Sequence, residues 1–422
     1  MKKSVVIIIA ILIAAIIIGF VLANFVFYDK YKMPKGAEIQ VKEGRFEAYT
    51  EGKKLYELIG DNNLEILTED FELDTTIVGE HTQAIEYKYK GFKKYLYNIK
   101  YQVIDTVPPV FIAGLSSTVS FYVDEASEAD LEKVTSKITY GDNYDVNPTL
   151  KVKGEVDFTS IGTYKLDCII SDSSNNQTAK EIKVIIKERP KEVDKQDEEE
   201  KEKEDKEEEK YDFEKQIENY KTDNAMVGID ISKWQGEVDF EKVKEAGAEF
   251  VIMRFGVMKD KDSELVKDKT FDTNYKNAKK AGLKVGIYIY SEANNVKTAE
   301  SNAQFVIDTL KGDKLDFPVA FDWESWTYFN SMKMNLHMLN DMYEAFDKKM
   351  QEAGYNTMLY GSQNYLNNTW LDLKDYTIWV ARYSEKKPSM DNGNKIVLWQ
   401  NSNIGRIDGI KGDVDLDVCY AD

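Results

Sequence analysis

Apolar and polar positions fall into four successive textures along this chain. Val5 to Ala23 is an unbroken apolar run behind Lys2 and Lys3. From Lys35 to Lys187, short runs rich in Tyr, Val, Ile and Thr alternate with polar positions and break at Gly, Asp and Asn. That pattern predicts small antiparallel β modules. Residues 188–210 are nearly all charge and cannot bury a core. From Met226 the texture becomes short continuous apolar runs separated by stretches of helical period.

Each texture predicts elements. At ~1.5 Å per residue, the run from 5 to 23 would span roughly 28 Å, the depth of a bilayer's hydrocarbon core, and it is longer than a signal peptide's apolar stretch. Val21-Leu22-Ala23 offers a weak cleavage site, and a retained transmembrane anchor with its amino end inside is the favoured reading. Lys30, Lys32 and Lys35 behind the run reduce the charge asymmetry. The β region repeats itself: Asp74-Thr75-Thr76-Ile77-Val78-Gly79 matches Asp157-Phe158-Thr159-Ser160-Ile161-Gly162, and two strands follow each glycine. A period of about 80 residues suits one sandwich per repeat. The charged stretch reads as a tether, either disordered or a single solvated helix.

In the last segment the candidate strands are Val227–Asp230, Phe250–Phe255, Val285–Tyr290, Val319–Asp322, Thr357–Tyr360, Thr377–Ala381, Ile396–Gln400 and Val414–Val418. Helical periodicity covers Phe240–Ala246, Asn274–Ala281, Thr298–Leu310 and Asn335–Ala353, with Gly247, Gly282 and Gly354 at C-cap positions. Such a sequence predicts a parallel sheet covered on its outside, compressed into a TIM-like α/β barrel of (β/α)5(β)3 type. The predicted domains are thus 1–30 (cytoplasmic tip and anchor), 35–104 and 105–187 (β-sandwiches), 188–224 (charged linker) and 225–422 (barrel).

Composition narrows the chemistry. A net charge of −19 argues against nucleic acid, which rewards clustered Lys and Arg. The two cysteines, Cys168 and Cys419, fall in different predicted domains, as do His81 and His337. No disulfide framework, His-based zinc site or Ser–His–Asp triad can be assembled from them, and neither a metal nor an organic cofactor is expected. Carboxylates remain. Asp230 ends the first predicted strand, Asp322 and Glu324 the fourth, and Asp415 lies in the eighth, with Asp413 and Asp417 beside it. Barrel enzymes keep their chemistry at strand C-termini. The i, i+2 spacing of Asp322 and Glu324 puts both on one side of an extended chain, where crowding keeps one of them neutral and able to protonate a leaving oxygen. Arg254 suits either holding a carboxylate or a structural ion pair. Tyr288, Tyr290, Trp323, Trp326, Tyr383 and Trp399 offer planes for sugar rings, and about half of them are expected to be core.

Two resemblances attach to these residues. Asp105-Thr106-Val107-Pro108-Pro109, Gly141-Asp142-Asn143-Tyr144-Asp145, Gly162-Thr163-Tyr164 and Ser171-Asp172-Ser173-Ser174-Asn175-Asn176 make 105–187 similar to bacterial Ig-like domains, which usually act as spacers; 35–104 matches less well. Residues 226–422 resemble the glycoside hydrolase family 25 lysozymes. The supporting segments are Gly228-Ile229-Asp230-Ile231-Ser232-Lys233-Trp234-Gln235-Gly236, Val251-Ile252-Met253-Arg254-Phe255-Gly256, Pro318-Val319-Ala320-Phe321-Asp322-Trp323-Glu324, Trp379-Val380-Ala381-Arg382-Tyr383, and Trp399-Gln400 with Val414-Asp415-Leu416-Asp417. Val257 departs from the family's pattern, where an aromatic is common.

The family resemblance implies an N-acetylmuramidase that cuts the β-1,4 bond from N-acetylmuramic acid to N-acetylglucosamine in peptidoglycan. Glu324 would act as general acid and then base, Asp322 would stabilise developing charge or orient the 2-acetamido group, and Asp230 and Asp415 would complete an acidic floor. Arg254, Tyr288, Tyr290, Trp323, Tyr383 and Trp399 would contact substrate. The spacing suits attack by the substrate's own acetamido carbonyl, with a direct enzymatic nucleophile as the alternative, and retention of configuration is favoured. Together with residues 5–23 in a lipid bilayer, this predicts an outward-facing enzyme of wall remodelling at the cell membrane. The segment's mild negative charge fits a tethered enzyme better than a diffusing one, because the wall is polyanionic. The rivals are an inactive wall-binding or adhesion protein, and a hydrolase of another N-acetylhexosamine polymer such as chitin.

Overall fold

The computed structural model describes residues 38–420 apart from 61–63, 91–93, 113–117, 126–130, 137, 190–210, 372–375 and 391–394. It divides into two compact units, one ending at Thr106 and the other running from Val107. The apolar run 5–23 and most of the charged stretch lie outside the described residues. Among the described residues, no helix is long and apolar enough to cross a membrane.

The first unit is built on strands β1 (Arg45–Glu47), β2 (Glu65–Ile66), β3 (Gly79–Lys88) and β4 (Lys94–Ile104) in the order β1-β4-β3-β2. Its long hairpin buries alternate residues, among them Ile85, Tyr87, Ile99 and Val103, so one face is apolar and the other wet. In the second unit, β5 (Val110–Phe111), β6 (Thr118–Tyr122), helix α1 (Leu131–Thr135), β7 (Tyr140–Gly141), β8 (Thr149–Lys153), β9 (Gly162–Ser171) and β10 (Gln177–Lys187) form a second β module. Its sheet runs β6-β10-β9-β8, and in both four-stranded sheets the strand that comes first in sequence pairs parallel with the last. The repeated sequence has one structural meaning. Asp74 Oδ1 accepts the amide and hydroxyl of Thr76 at 2.9 and 2.6 Å, and Asp157 Oδ1 accepts those of Thr159 at the same distances. Each turn leads into the long hairpin. The expected two-sheet sandwiches are not what forms among the described residues. Each module has a single four-stranded sheet, and the second adds only the β5–β7 ribbon, because these remaining strands are two residues long.

The rest of the chain begins with β11 (Tyr211–Asp212) and helix α2 (Phe213–Tyr220), inside the stretch expected to be linker. Then follow β12 (Ala225–Ile231), α3 (Phe240–Glu245), β13 (Phe250–Val257), β14 (Val266–Lys267), α4 (Phe271–Lys280), β15 (Lys284–Ser291), α5 (Val296–Leu310), β16 (Val319–Trp323), α6 (Phe329–Met332), α7 (Leu336–Glu352), β17 (Thr357–Ser362), α8 (Gln363–Asn368), β18 (Ile378–Ala381), β19 (Ile396–Arg406) and β20 (Val414–Tyr420). Asn295 and Asn335 cap α5 and α7 through their side-chain oxygens, and Gly282 and Gly354 end α4 and α7 at φ +75° and +85°.

Eight of these strands close a barrel. β12, β13, β15, β16, β17, β18 and β19 pair in parallel, while β20 runs antiparallel to both β19 and β12 and seals the gap. This corrects the expected TIM-like α/β barrel: the C-terminal region is an eight-stranded β-barrel. A parallel return needs a crossover of a dozen residues or more, usually a helix, whereas an antiparallel one needs only a turn. The stretch 407–413 allows only the turn, so the last strand reverses.

Candidate active site

Side chains alternate between the two faces of each barrel strand, and two buried clusters record this. Val227, Ile229, Ile231, Val251, Met253, Val285, Ile287, Val319 and Phe321 pack outward against the helices. Phe250, Ile252, Ala320, Met358, Trp379, Leu398 and Cys419 fill the lumen with Met226 and Tyr288. Continuing the inward phase toward the C-termini of the parallel strands, and toward the N-terminus of the reversed β20, brings Asp230, Arg254, Tyr290, Asp322, Tyr360, Gln400 and Asp415 to one mouth. There they line a cleft of about 340 Å³ together with Glu324, Trp234, Tyr288, Trp379 and Tyr383.

The cleft floor is a hydrogen-bonded frame. Gln400 Nε2 donates to Asp230 Oδ2 at 2.8 Å, and Gln400 Oε1 accepts the hydroxyls of Tyr360 and Tyr383 at 2.9 and 3.1 Å. Trp379 Nε1 donates to Asp417 Oδ1 at 2.8 Å. Asp230 lies directly opposite Asp415 across β12 and β20, and Asp417 is near enough to act on its charge. Burial and crowding of like charges both disfavour ionisation, and the titration follows. Burial and then the neighbouring Asp417 hold the Asp230 carboxyl well above the usual range. Burial, followed by Asp230, pushes Asp415 up to about 8, and burial alone leads in raising Asp417 to about 8.

Asp322 and Glu324 form the second group. Asp322 is buried and its pKa is raised well above normal, first by burial and then by Glu324 and Asp230, with Arg254 pulling the other way. Its Oδ1 has no hydrogen-bond partner among the described residues. Glu324 follows β16 and is open to solvent, yet its carboxyl is crowded by the cleft walls, and that partial desolvation raises its pKa. The pair therefore holds a proton that isolated carboxylates would have lost.

All four predicted acids, Asp230, Asp322, Glu324 and Asp415, thus line one cleft, as do Arg254, Tyr288, Tyr290 and Tyr383. Two expected sugar contacts do not. Trp323 and Trp399 are fully buried, and their indoles donate to the carbonyls of Ala293 and Arg382, each at 2.8 Å. Each sits one residue out of phase with an inward residue, Asp322 or Gln400, so its side chain must face the helices. Trp326 is core as well, stacked on Tyr365. Arg254 does line the cleft, but its Nε and Nη2 both grip Asp268 Oδ2, at 2.8 and 2.7 Å. Burial works against the Asp268 charge, and bonds from Thr270 and Arg254 outweigh it, so its pKa is lowered. Sequence reasoning missed Asp268, Tyr360, Trp379, Gln400 and Asp417. The last four share the inward phase of the acids, which was the signal available.

A closed barrel with several protonatable carboxylates at one mouth, ringed by tyrosines and with Trp234 exposed at the rim, is an arrangement suited to acid–base chemistry on a sugar. Comparison with known proteins makes this specific. Residues 229–410 match the sequence model of glycosyl hydrolases family 25, so the likeness to that family lies in the barrel. Among curated relatives, the autolytic lysozyme of Clostridium acetobutylicum is 33% identical over 193 residues, which cover 46% of this chain and 55% of the relative. The uncharacterized protein YegX of Escherichia coli is 28% identical over 193 residues, covering 45% and 68% respectively. The chain thus spans about half the length of the first relative. Among solved structures, a family 25 glycosyl hydrolase from Bacillus anthracis aligns with a TM-score of 0.41 at 21% identity, over 48% of this chain and 93% of that one.

Proposed function

We propose that this enzyme hydrolyses the β-1,4 bond between N-acetylmuramic acid and N-acetylglucosamine in peptidoglycan. The observation that carries the reading is the placement of Asp322 and Glu324 in one cleft that raises both their pKa values. Neutral Glu324 donates its proton to the glycosidic oxygen as the bond to C1 breaks. The 2-acetamido carbonyl oxygen attacks C1 and closes an oxazolinium ring, while Asp322 accepts a hydrogen bond from the acetamido N–H through its unpartnered oxygen. Glu324, now a carboxylate, takes a proton from water as the water oxygen adds to C1 and the ring opens. Configuration is retained. The relative named as an autolytic lysozyme supports this substrate class.

The test is incubation of the protein with purified peptidoglycan and with chitin, following new reducing ends and identifying the terminal sugar by mass spectrometry. Release from peptidoglycan with N-acetylmuramic acid at the reducing end, lost in Glu324→Gln, is expected. Release from chitin alone, or binding without release, would refute it. The reading extends to place. Residues 5–23 would keep the enzyme at the membrane for remodelling of the wall, and deletion of residues 1–30 should free it from cells. Continued cell association of the deleted protein would contradict that.

A further inference from the structure

The second β module is fixed to the barrel at the segment that follows Glu324. Beyond Glu324 the chain makes a single turn over Ser325–Tyr328, then enters α6 and α7. The β7 loop grips this stretch. Asn330 Nδ2 donates to the Tyr140 carbonyl at 2.8 Å, Asn335 Nδ2 to that of Tyr144 at 2.7 Å, and the Leu336 amide to that of Asp142 at 2.8 Å. Between them Gly141 lies so close to Phe329 that a Cβ would come within 2.7 Å of its ring. Ile112 beside it joins the barrel's outer core. The loop is itself braced, since Asp142 Oδ1 accepts the amides of Tyr144 and Asp145 at 2.8 and 2.6 Å.

Phe329 carries this contact toward the acid. Its ring meets Trp323 edge-on and Trp326 at a tilt, each at 6.1 Å, and those indoles meet edge-on at 4.7 Å. The two tryptophans flank Glu324 in the chain, and the Trp326 amide donates to the Glu324 carbonyl at 2.7 Å. A module joined only as a spacer would not need a backbone glycine pressed on this aromatic stack.

We propose that the Gly141–Tyr144 loop positions Glu324, so that the second β module is part of the catalytic unit. Gly141 and Asn330 are positioning residues, acting through Phe329 and the turn at 325–328. The inference rests on Glu324 being the proton donor, and a donor displaced by about 1 Å loses on the order of a hundredfold in rate.

The test uses the full-length protein, comparing wild type, Gly141→Val and Asn330→Ala. It measures kcat, KM and the pH profile on peptidoglycan, with hydrogen exchange over 325–336. With positioning, kcat falls about 10- to 100-fold in Gly141→Val and about threefold in Asn330→Ala. KM stays unchanged, the alkaline limb of the profile shifts, and exchange rises over 325–332. Wild-type kcat and pH profile in a folded Gly141→Val overturn the proposal, whether or not exchange rises. If Gly141→Val does not fold, Asn330→Ala decides in the same way, because truncating an exposed side chain leaves the core intact. A wild type that does not cleave peptidoglycan would instead refute the proposed function, and this inference falls with it.

Discussion

Two residues apart, Asp322 and Glu324 share a phase but not an environment. Asp322 is walled in beneath the cleft, whereas Glu324 stands where solvent and a leaving oxygen can reach it. The exposed, raised-pKa member is the one suited to exchange protons with substrate. Glu324→Gln keeps the shape and removes the proton, and kcat should fall about 10²- to 10⁴-fold in a reducing-end assay. In the wild type the acid form is lost as pH rises through the raised Glu324 pKa, so kcat/KM should decline on the alkaline side. A kcat/KM with no alkaline limb, or one unchanged in Glu324→Gln, would remove Glu324 from the acid role. Asp417 makes a different prediction. Its carboxyl titrates near 8 in the fold and near 3.8 when unfolded, so the folded state holds the extra proton between those values. Its contribution is complete below about pH 4 and is lost as pH rises toward 8. Asp417→Asn still accepts the Trp379 indole and has no such loss. Its Tm should therefore fall by roughly 10 °C less than that of the wild type between pH 5 and pH 8.5. Parallel declines would show that Asp417 does not hold that proton.

At the scale of the strand, one rule separates site from core: residues an even number of places from an inward acid face the lumen. Applied to Trp-Glu after Asp322, or to Trp399 before Gln400, it places both tryptophans among the helices, where the structure has them. The acids were legible because they end apolar runs, and the strands because continuous apolar stretches fit a sheet covered on its outside. The tryptophans were misjudged because aromatic character alone fits both a sugar platform and a core. Barrel closure was illegible for a related reason. Strand direction leaves no mark in an apolar run, and only the short 407–413 connection shows that β20 must reverse. Substitutions can test the division of labour. Trp399→Phe loses the bond to the Arg382 carbonyl, so it should lower Tm and leave KM unaltered. Tyr383→Ala, at the exposed rim, should raise KM about 2- to 10-fold with little change in Tm. The opposite pattern in steady-state kinetics and thermal melts would reassign both residues.

The sequence divides the whole molecule by texture, and the charge-rich stretch before the barrel reads as linker through residue 224. Phe213–Tyr220 shows why texture is not enough. Phe213, Ile217 and Tyr220 recur at helical spacing, a cue submerged in the surrounding Glu and Lys, and they bring α2 down onto the barrel wall. The residue that locks α2 in place is polar. Gln216 is wholly buried, trades amide hydrogen bonds with Asn401 at 2.8 and 2.9 Å, and donates to the Asp417 carbonyl at 3.2 Å. No apolar pattern reports such a contact, because its partners lie far along the chain and the pairing exists only after the barrel closes. The segment ahead of β12 therefore belongs to the wall that carries Asp417, and so to the frame around Asp230. Truncating Gln216 leaves the Asn401 amide buried without its partner, at a cost of about 1–3 kcal/mol. Gln216→Ala should lower Tm by several degrees, whereas Glu218→Ala on the exposed face of the same helix should leave it within about 1 °C. Equal melting temperatures for the two variants would mean that α2 merely rests on the barrel. A drop confined to Gln216→Ala, together with reduced activity on peptidoglycan at temperatures where the protein is still folded, would show that the stretch expected to be a tether helps to shape the acidic floor.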